Sequence, residues 1–96
     1  MVQEVAVTYW RDFVEDCEDP VNTVQLRDVL IFSTALEREP PMGFHPTPTI
    51  EFVDGLLPKA STCMNVLYLP TSHDSYDKFS EWMKEGIIGA HGFGLA

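Results

Sequence analysis

The first apolar pattern in the chain has the spacing of a helix. Five residues recur at intervals that suit one helical stripe: Ala6, Trp10, Phe13, Val14 and Cys17. Apolar positions three and four residues apart lie on one side of a helix, so an amphipathic helix is predicted here. Cys17 belongs to this stripe, and we expect its sulfur to pack as a small hydrophobic group rather than to react.

A second helical pattern follows the break at Asp19-Pro20. Asn22 and Gln25, three residues apart, have the pattern of an N-cap and its reciprocal partner, so a helix is predicted to start there. Leu26, Val29, Leu30 and Ser33 continue the helical spacing. Proline lacks the N–H donor and clashes with the preceding turn, so Pro40-Pro41 forbids continuation and residues 39–48 are predicted to form a loop.

A third helical pattern begins at Asp74 or Ser75. Its inward stripe is predicted to consist of Tyr76, Phe79, Met83 and Ile87. Glycines follow at positions 86, 89, 92 and 94, and each weakens a helix. Residues 90–96 are therefore predicted to form a flexible tail that leaves the body of the domain.

Two short segments between the second and third helices read as strands. Residues 49–53 alternate between two faces, which is typical of a half-buried strand. Residues 65–69 are rich in branched and aromatic side chains, and Pro70 ends them because proline cannot donate to a sheet. Helices combined with strands predict an α/β (α+β) fold, with a small sheet packed against helices in one domain over residues 1–96.

Charge narrows the choice of partners. The 96 residues carry six Lys or Arg against fifteen Asp or Glu, a net charge of −9. Nucleic acids and anionic lipids are bound chiefly through Lys and Arg, so neither is an expected partner. The longest apolar runs have four residues, far short of the roughly 20 that span a bilayer. With no secretory signal in the first residues, a cytoplasmic or nuclear location is predicted.

The remaining candidate chemistry lies in cysteine and histidine. Cys17 and Cys63 are predicted to be two thiols rather than a disulfide, since the chain is acidic and shows no signal peptide. The three histidines lack the spacing of metal ligands, so no metal site and no cofactor are predicted. Cys63 lies among small and polar residues in the loop before the second strand. Local context alone leaves it either a reactive thiol or an incidental one.

A longer pattern surrounds Cys63. Residues 57–70 read LPKASTCMNVLYLP, which resembles the active-cysteine segment LPxAHTCFNxLxLP of HECT-type ubiquitin ligases. The resemblance extends to residues 26–44 and to the terminal GFGLA at residues 92–96, so it covers about residues 20–96 in order. The chain departs from the pattern at Ser61, where the family often has histidine, and at Met64, where it often has phenylalanine.

The resemblance implies a fold and an activity. The fold is that of the C-terminal lobe of a HECT catalytic domain, a small α/β unit joined by a hinge to a larger N-terminal lobe. Cys63 is the position that matches the nucleophile, which accepts ubiquitin from a conjugating enzyme as a thioester and passes it to a substrate lysine. The implied partners are ubiquitin, a protein substrate and a conjugating enzyme bound through the N-terminal lobe. Without that lobe the fragment is not expected to be competent.

Four further residues are implied to support the reaction. Thr62 and Asn65 either form hydrogen bonds around the thioester carbonyl or fix the loop. Ser61 stands where the family often has histidine, so the possible proton carrier beside the thiol is absent from this chain. Phe93, fourth from the end, is implied to anchor the tail during transfer to lysine.

Two questions stay open at the level of sequence. The family holds ubiquitin's C-terminal tail as an added strand, which requires an open sheet edge near Cys63. Leu67 and Tyr68 are candidates for that edge and equally for the core.

The alternative functions are an inactive HECT-like lobe that binds ubiquitin or another lobe, and an unrelated small acidic adaptor. Retention of Cys63, Thr62 and Phe93 argues against the inactive lobe.

Overall fold

The computed structural model describes the backbone of residues 2–95 and the side chains of residues 3–89. Its elements are α1 (Val2–Cys17), α2 (Leu26–Thr34), β1 (Thr49–Val53), β2 (Lys59–Ser61), β3 (Val66–Pro70) and α3 (Tyr76–Leu95). In the described part of the chain, no helix is both long and apolar enough to cross a bilayer.

Helix α1 packs its apolar stripe against α3. Ala6, Phe13 and Cys17 are at most 2% exposed, which confirms the predicted stripe and the packing role of Cys17. Phe13 meets Phe79 of α3 edge to face, with ring centroids 6.4 Å apart and an interplanar angle of 84°. Edge-to-face contact is a favoured geometry for aromatic pairs, so these two fully buried rings anchor the core.

Helix α2 begins at Leu26, so the predicted start at Asn22 is wrong. Gln25 is the N-cap in an extended conformation, and its N–H donates to the Asp28 carboxylate at 2.9 Å. The Asn22 side chain instead donates to the Val24 carbonyl at 2.6 Å. Asparagine competes with helix formation through such local bonds, and here it shapes the turn before the helix.

The end of α2 also differs from the prediction. The helix stops at Thr34, before the prolines, because Ala35 adopts the left-handed conformation with φ 66°. The Ala35 N–H donates to the Ile31 carbonyl at 2.8 Å, which closes the last turn. The prolines at 40 and 41 therefore lie in the following loop rather than at the helix terminus.

The three strands form one mixed sheet in the order β1-β3-β2, which confirms the predicted fold class. Strand β3 is central: β1 pairs with it in parallel and β2 in antiparallel. Leu67, 4% exposed, is a core residue, and Tyr68 pairs with strands on both sides, so neither lies at an edge. The sheet edges belong to β1 and β2. Strand β2 was not predicted because its three residues are too short to show a period.

Helix α3 confirms the predicted inward stripe. Phe79, Met83 and Ile87 are fully buried and Tyr76 is partly buried. The helix extends to Leu95, beyond the predicted end near residue 90, because each helical glycine costs only about 1 kcal/mol relative to alanine. Side chains beyond Gly89, including that of Phe93, lie outside the described residues, so the flexible tail stays a prediction.

Candidate active site

Cys63 lies in the loop of a β-hairpin. Ser61, the last residue of β2, pairs with Val66, the first residue of β3, so residues 62–65 form a four-residue connection. The Ser61 carbonyl accepts a hydrogen bond from the Met64 N–H at 3.2 Å, which closes the turn around Thr62 and Cys63. Four-residue hairpin loops are most often built on such a turn, so the local sequence and the pairing agree.

The two cysteines have opposite environments. Cys63 is an exposed free thiol, and its neighbours Thr62 and Met64 are also exposed. Cys17 is a buried free thiol with 1% of its surface exposed. Burial is the main cause that raises the pKa of the Cys17 thiol to about 11, with smaller contributions from Asp16 and Asp28 against an opposing effect of Lys84. Only the thiolate is nucleophilic, so Cys17 is inert at neutral pH and Cys63 is the accessible thiol.

Asn65 fixes the end of this hairpin loop. Its backbone is left-handed, with φ 55°, a conformation that asparagine tolerates better than most residues. Its side chain is 7% exposed, and Nδ2 donates to the Pro46 carbonyl at 2.8 Å. Its own carbonyl accepts the Thr49 N–H at 3.0 Å. Of the two predicted roles for Asn65, these contacts are those of loop fixation.

The predicted site residues that the structure describes lie in this one hairpin. Ser61 is half-buried at the end of β2, Thr62 and Cys63 are exposed in the turn, and Asn65 is buried beneath it. Phe93 lies outside the residues with described side chains, so its predicted role is not tested. No sequence pattern pointed to the contribution of Pro46, because its carbonyl accepts the Asn65 hydrogen bond from 19 positions away in the chain.

The hairpin exposes a nucleophile without an acid or base in the same turn. Residues 61–64 are Ser, Thr, Cys and Met, so the turn holds no histidine, carboxylate or amine beside the thiol. Exchange between sulfur compounds proceeds through thiolate attack and thiolate departure, so it needs access and orientation more than a strong base. Within the described residues, no group of three or more His, Cys, Asp or Glu is placed to hold a metal ion. The arrangement suits acyl transfer between thiols.

Comparison with known proteins finds a family of ubiquitin transferases. The family model described as HECT-domain (ubiquitin-transferase) matches residues 6–96. Proteins named G2/M phase-specific E3 ubiquitin-protein ligase from Macaca fascicularis and from Homo sapiens are each 36% identical over 78 residues, which is 81% of this chain and 11% of theirs. The Gallus gallus protein of that name is 34% identical over 79 residues, or 82% of this chain and 10% of its own. The chain spans about a tenth of the length of these relatives.

Proposed function

Because this chain belongs to the HECT-domain family of ubiquitin transferases, we propose that it is the C-terminal lobe of a ubiquitin ligase and that Cys63 carries ubiquitin as a thioester. The observation that supports this most strongly is the exposed Cys63 thiol at the tip of the β2-β3 hairpin. An exposed hairpin tip is open to two protein partners in turn. A nucleophile that receives a group from one protein and delivers it to another requires that access.

The proposed reaction has two acyl transfers. In the first, the Cys63 thiolate attacks the thioester carbonyl carbon of ubiquitin on the conjugating enzyme. A bond from that carbon to Cys63 sulfur forms, the bond to the enzyme's sulfur breaks, and the enzyme's thiolate leaves. In the second, a neutral substrate amine attacks the same carbon, Cys63 leaves as thiolate, and the amine nitrogen gives one proton to water as the amide forms. The first step converts one thioester into another, so the free energy changes little. The second step is driven by the greater stability of the amide.

Strand β2 is the sheet edge that we assign to ubiquitin's tail. An extended peptide adds to a sheet through the free N–H and C=O groups of an edge strand. Strands β1 and β2 are the two edges, and β2 ends at Ser61, two residues before Cys63. A tail paired with β2 would run directly toward the thiol. The paired central strand β3, with Leu67 and Tyr68, has no free edge to offer.

The other partners follow from the family and the size of the chain. A larger N-terminal lobe would bind the conjugating enzyme, and sequence further upstream would select the protein substrate. The net charge of −9 favours neutral or basic protein surfaces over nucleic acid or anionic membrane. We propose a cytoplasmic or nuclear location, because both cysteines are free thiols, as is usual in a reducing compartment.

The second candidate is a lobe that keeps the fold and binds ubiquitin without bonding to it. The observation that favours it is Ser61, which stands where the family often has histidine. Against it, the hairpin retains the exposed thiol and the buried Asn65 that fixes the loop. The two candidates differ in one measurable property, the formation of a covalent bond at Cys63.

The experiment joins this chain to a HECT N-terminal lobe and mixes it with conjugating enzymes charged with ubiquitin. We expect a ubiquitin adduct that reducing thiols remove, present with Cys17→Ala and absent with Cys63→Ala. Cys63→Ser should give an adduct that resists thiols, because an oxygen ester does not exchange with them as a thioester does. Failure of the folded wild type to form an adduct with several conjugating enzymes would favour the inactive lobe.

A further inference from the structure

The connection between β1 and β2, residues 54–58, leads directly into the proposed active site. Leu56 and Leu57 are 45% and 46% exposed, yet Pro58 is buried immediately before β2. Lys59 follows Pro58 and begins the pairing with β3 opposite Tyr68. Cys63 is only five residues beyond Pro58, so the position of this connection sets where β2 and the hairpin begin.

Gly86 of α3 contacts this connection at very short range. A Cβ built on Gly86 would lie 2.6 Å from Cγ and 2.7 Å from Cδ of Pro58, and 3.6 Å from Cδ2 of Leu57. Real Cβ atoms do not approach other heavy atoms within 3.0 Å. The proline ring is closed onto its own backbone, so it cannot swing aside as a flexible side chain would. Any residue other than glycine at position 86 must therefore move the main chain at Pro58 or α3 itself.

Gly89 provides the internal comparison. It lies one turn further along α3, and a Cβ built there meets no atom within 4 Å. Glycine lowers helix stability by a similar amount at both positions, about 1 kcal/mol relative to alanine. The two glycines thus share the effect on helix propensity and differ in the contact with Pro58. That contact, rather than helix flexibility, is what position 86 contributes.

A second contact holds the same connection from the segment that leads into α3. His73 is 8% exposed, and its Nε2 lies 2.7 Å from the Leu56 carbonyl oxygen, which assigns the proton to Nε2. The His73 ring meets Phe79 edge to face, with centroids 6.1 Å apart and an interplanar angle of 89°. Nearby, the Gly55 N–H donates to the Ser72 hydroxyl at 2.9 Å. The connection is therefore tied to the fully buried Phe79 through His73.

We propose that Gly86 and His73 are positioning residues of the transfer reaction, which fix the β1-β2 connection and through it the Cys63 turn. This inference rests on the proposed function. With a Cβ at position 86, the distance between that atom and Pro58 must increase from 2.6 Å to at least 3.4 Å, the start of ordinary van der Waals contact. Pro58 is joined to β2 without an intervening loop, so the displacement reaches the hairpin. A misplacement of about 1 Å in a reacting group can slow a reaction by about 100-fold.

The test compares Gly86→Ala with Gly89→Ala in the ligase that carries this chain. Single-turnover transfer of ubiquitin from a charged conjugating enzyme to Cys63 should be about tenfold slower or more with Gly86→Ala. With Gly89→Ala it should stay within about twofold of wild type, since that Cβ meets open space. The rate at which a small maleimide alkylates Cys63 should be unchanged in both variants, because the substitution is expected to shift the thiol without changing its exposure to solvent.

Rescue by a second substitution distinguishes positioning from general damage. Pro58→Ala removes the ring atoms that a Cβ at 86 would meet. Transfer by Pro58→Ala with Gly86→Ala should therefore return to within about threefold of Pro58→Ala alone. If the second substitution instead adds a further loss, or if Gly86→Ala transfers as fast as Gly89→Ala, the role of Gly86 is refuted.

His73 is tested with a pair of variants that does not depend on Gly86. His73→Gln offers an amide donor in place of Nε2, and His73→Phe keeps an aromatic ring without a donor. We expect transfer by the glutamine variant to be within about threefold of wild type and that by the phenylalanine variant to be about tenfold slower. Equal rates in the two variants would overturn the role of His73.

Failure of the proposed function is distinguishable from failure of this inference. A wild type without an adduct contradicts the function, and amide hydrogen exchange of the intact chain then decides the positioning role. Residues 59–64 should exchange at least about fivefold faster in Gly86→Ala than in Gly89→Ala. Identical exchange in that segment would refute the inference whether or not ubiquitin is transferred.

Discussion

Substitution of Asn65 tests how the hairpin that carries Cys63 is held. The Asn65 side chain donates to the Pro46 carbonyl at 2.8 Å while its backbone stays left-handed at φ 55°. Asn65→Gly removes the side-chain hydrogen bond but keeps a residue that adopts this backbone freely. Asn65→Ala removes the same bond and adds a Cβ in a conformation that disfavours it. The two variants therefore separate the hydrogen bond from the backbone requirement.

The magnitudes follow from the surroundings of the two groups. Pro46 is exposed, so water replaces the lost donor and the cost is the net value of one hydrogen bond, about 1 kcal/mol. Left-handed backbone adds about 1 kcal/mol for alanine. We expect the free energy of unfolding to fall by about 1 kcal/mol with Asn65→Gly and by about 2 kcal/mol with Asn65→Ala. In a domain of this size these changes lower Tm by about 4 to 8 °C and about 8 to 16 °C.

The assay is urea unfolding followed by tryptophan fluorescence, with Thr62→Ala as the matched control. Thr62 lies in the same turn but is exposed, so its truncation should change the free energy of unfolding by no more than about 0.5 kcal/mol. An Asn65→Ala variant as stable as Thr62→Ala would refute the anchoring role. Equal losses for the glycine and alanine variants would refute the part assigned to the left-handed backbone.

Two further predictions concern the thiols. Under native conditions at pH 7.5 a small maleimide should modify Cys63 at least about 100-fold faster than Cys17, because Cys17 is 1% exposed and its pKa is raised to about 11. Mass spectrometry measures the two rates, and comparable rates would contradict the burial of Cys17. The pKa of Cys17 in the folded protein lies above its ordinary value of 9.0, so its contribution to stability is complete below pH 9 and is lost as the pH rises toward 11. We expect the free energy of unfolding to fall by about 2 kcal/mol over this range. A fall of the same size in Cys17→Ala would assign the effect to other groups such as Tyr76, whose pKa is also raised by burial and by its hydrogen bond to Asp16.

The helical stripes could be predicted from the sequence because burial imposes a period on it. Phe13 and Cys17 in α1, and Phe79 and Met83 in α3, follow that period and are buried in the structure. The start of α2 could not be predicted as well, because Asn22 is a favoured N-cap residue and Gln25 is not, yet the local hydrogen bonds place the cap at Gln25. The ends of a helix depend on single hydrogen bonds of this kind, whereas its apolar stripe is specified by several buried residues together.

Part of the candidate site was also predictable, and part was not. Cys63 was predicted to lie in a loop before a strand, and the structure places it there as an exposed thiol. The support for its loop depends on contacts between segments distant in sequence, such as Asn65 with Pro46 and Gly86 with Pro58. A single sequence carries no pattern for such pairs. Strand β2 was missed for a related reason, since three residues form a strand only because β3 lies beside them.

We propose that ubiquitin passes through Cys63 on its way to a substrate. The most direct test of this route is a rapid-quench experiment that follows ubiquitin leaving the conjugating enzyme, its adduct on the ligase and the amide product at successive times. We expect the adduct to rise before the product and then to decline. Cys63→Ala should abolish both the adduct and the product, and Cys17→Ala should change neither. Amide product formed at the wild-type rate by Cys63→Ala would refute this route, because ubiquitin would then reach lysine without passing through this thiol.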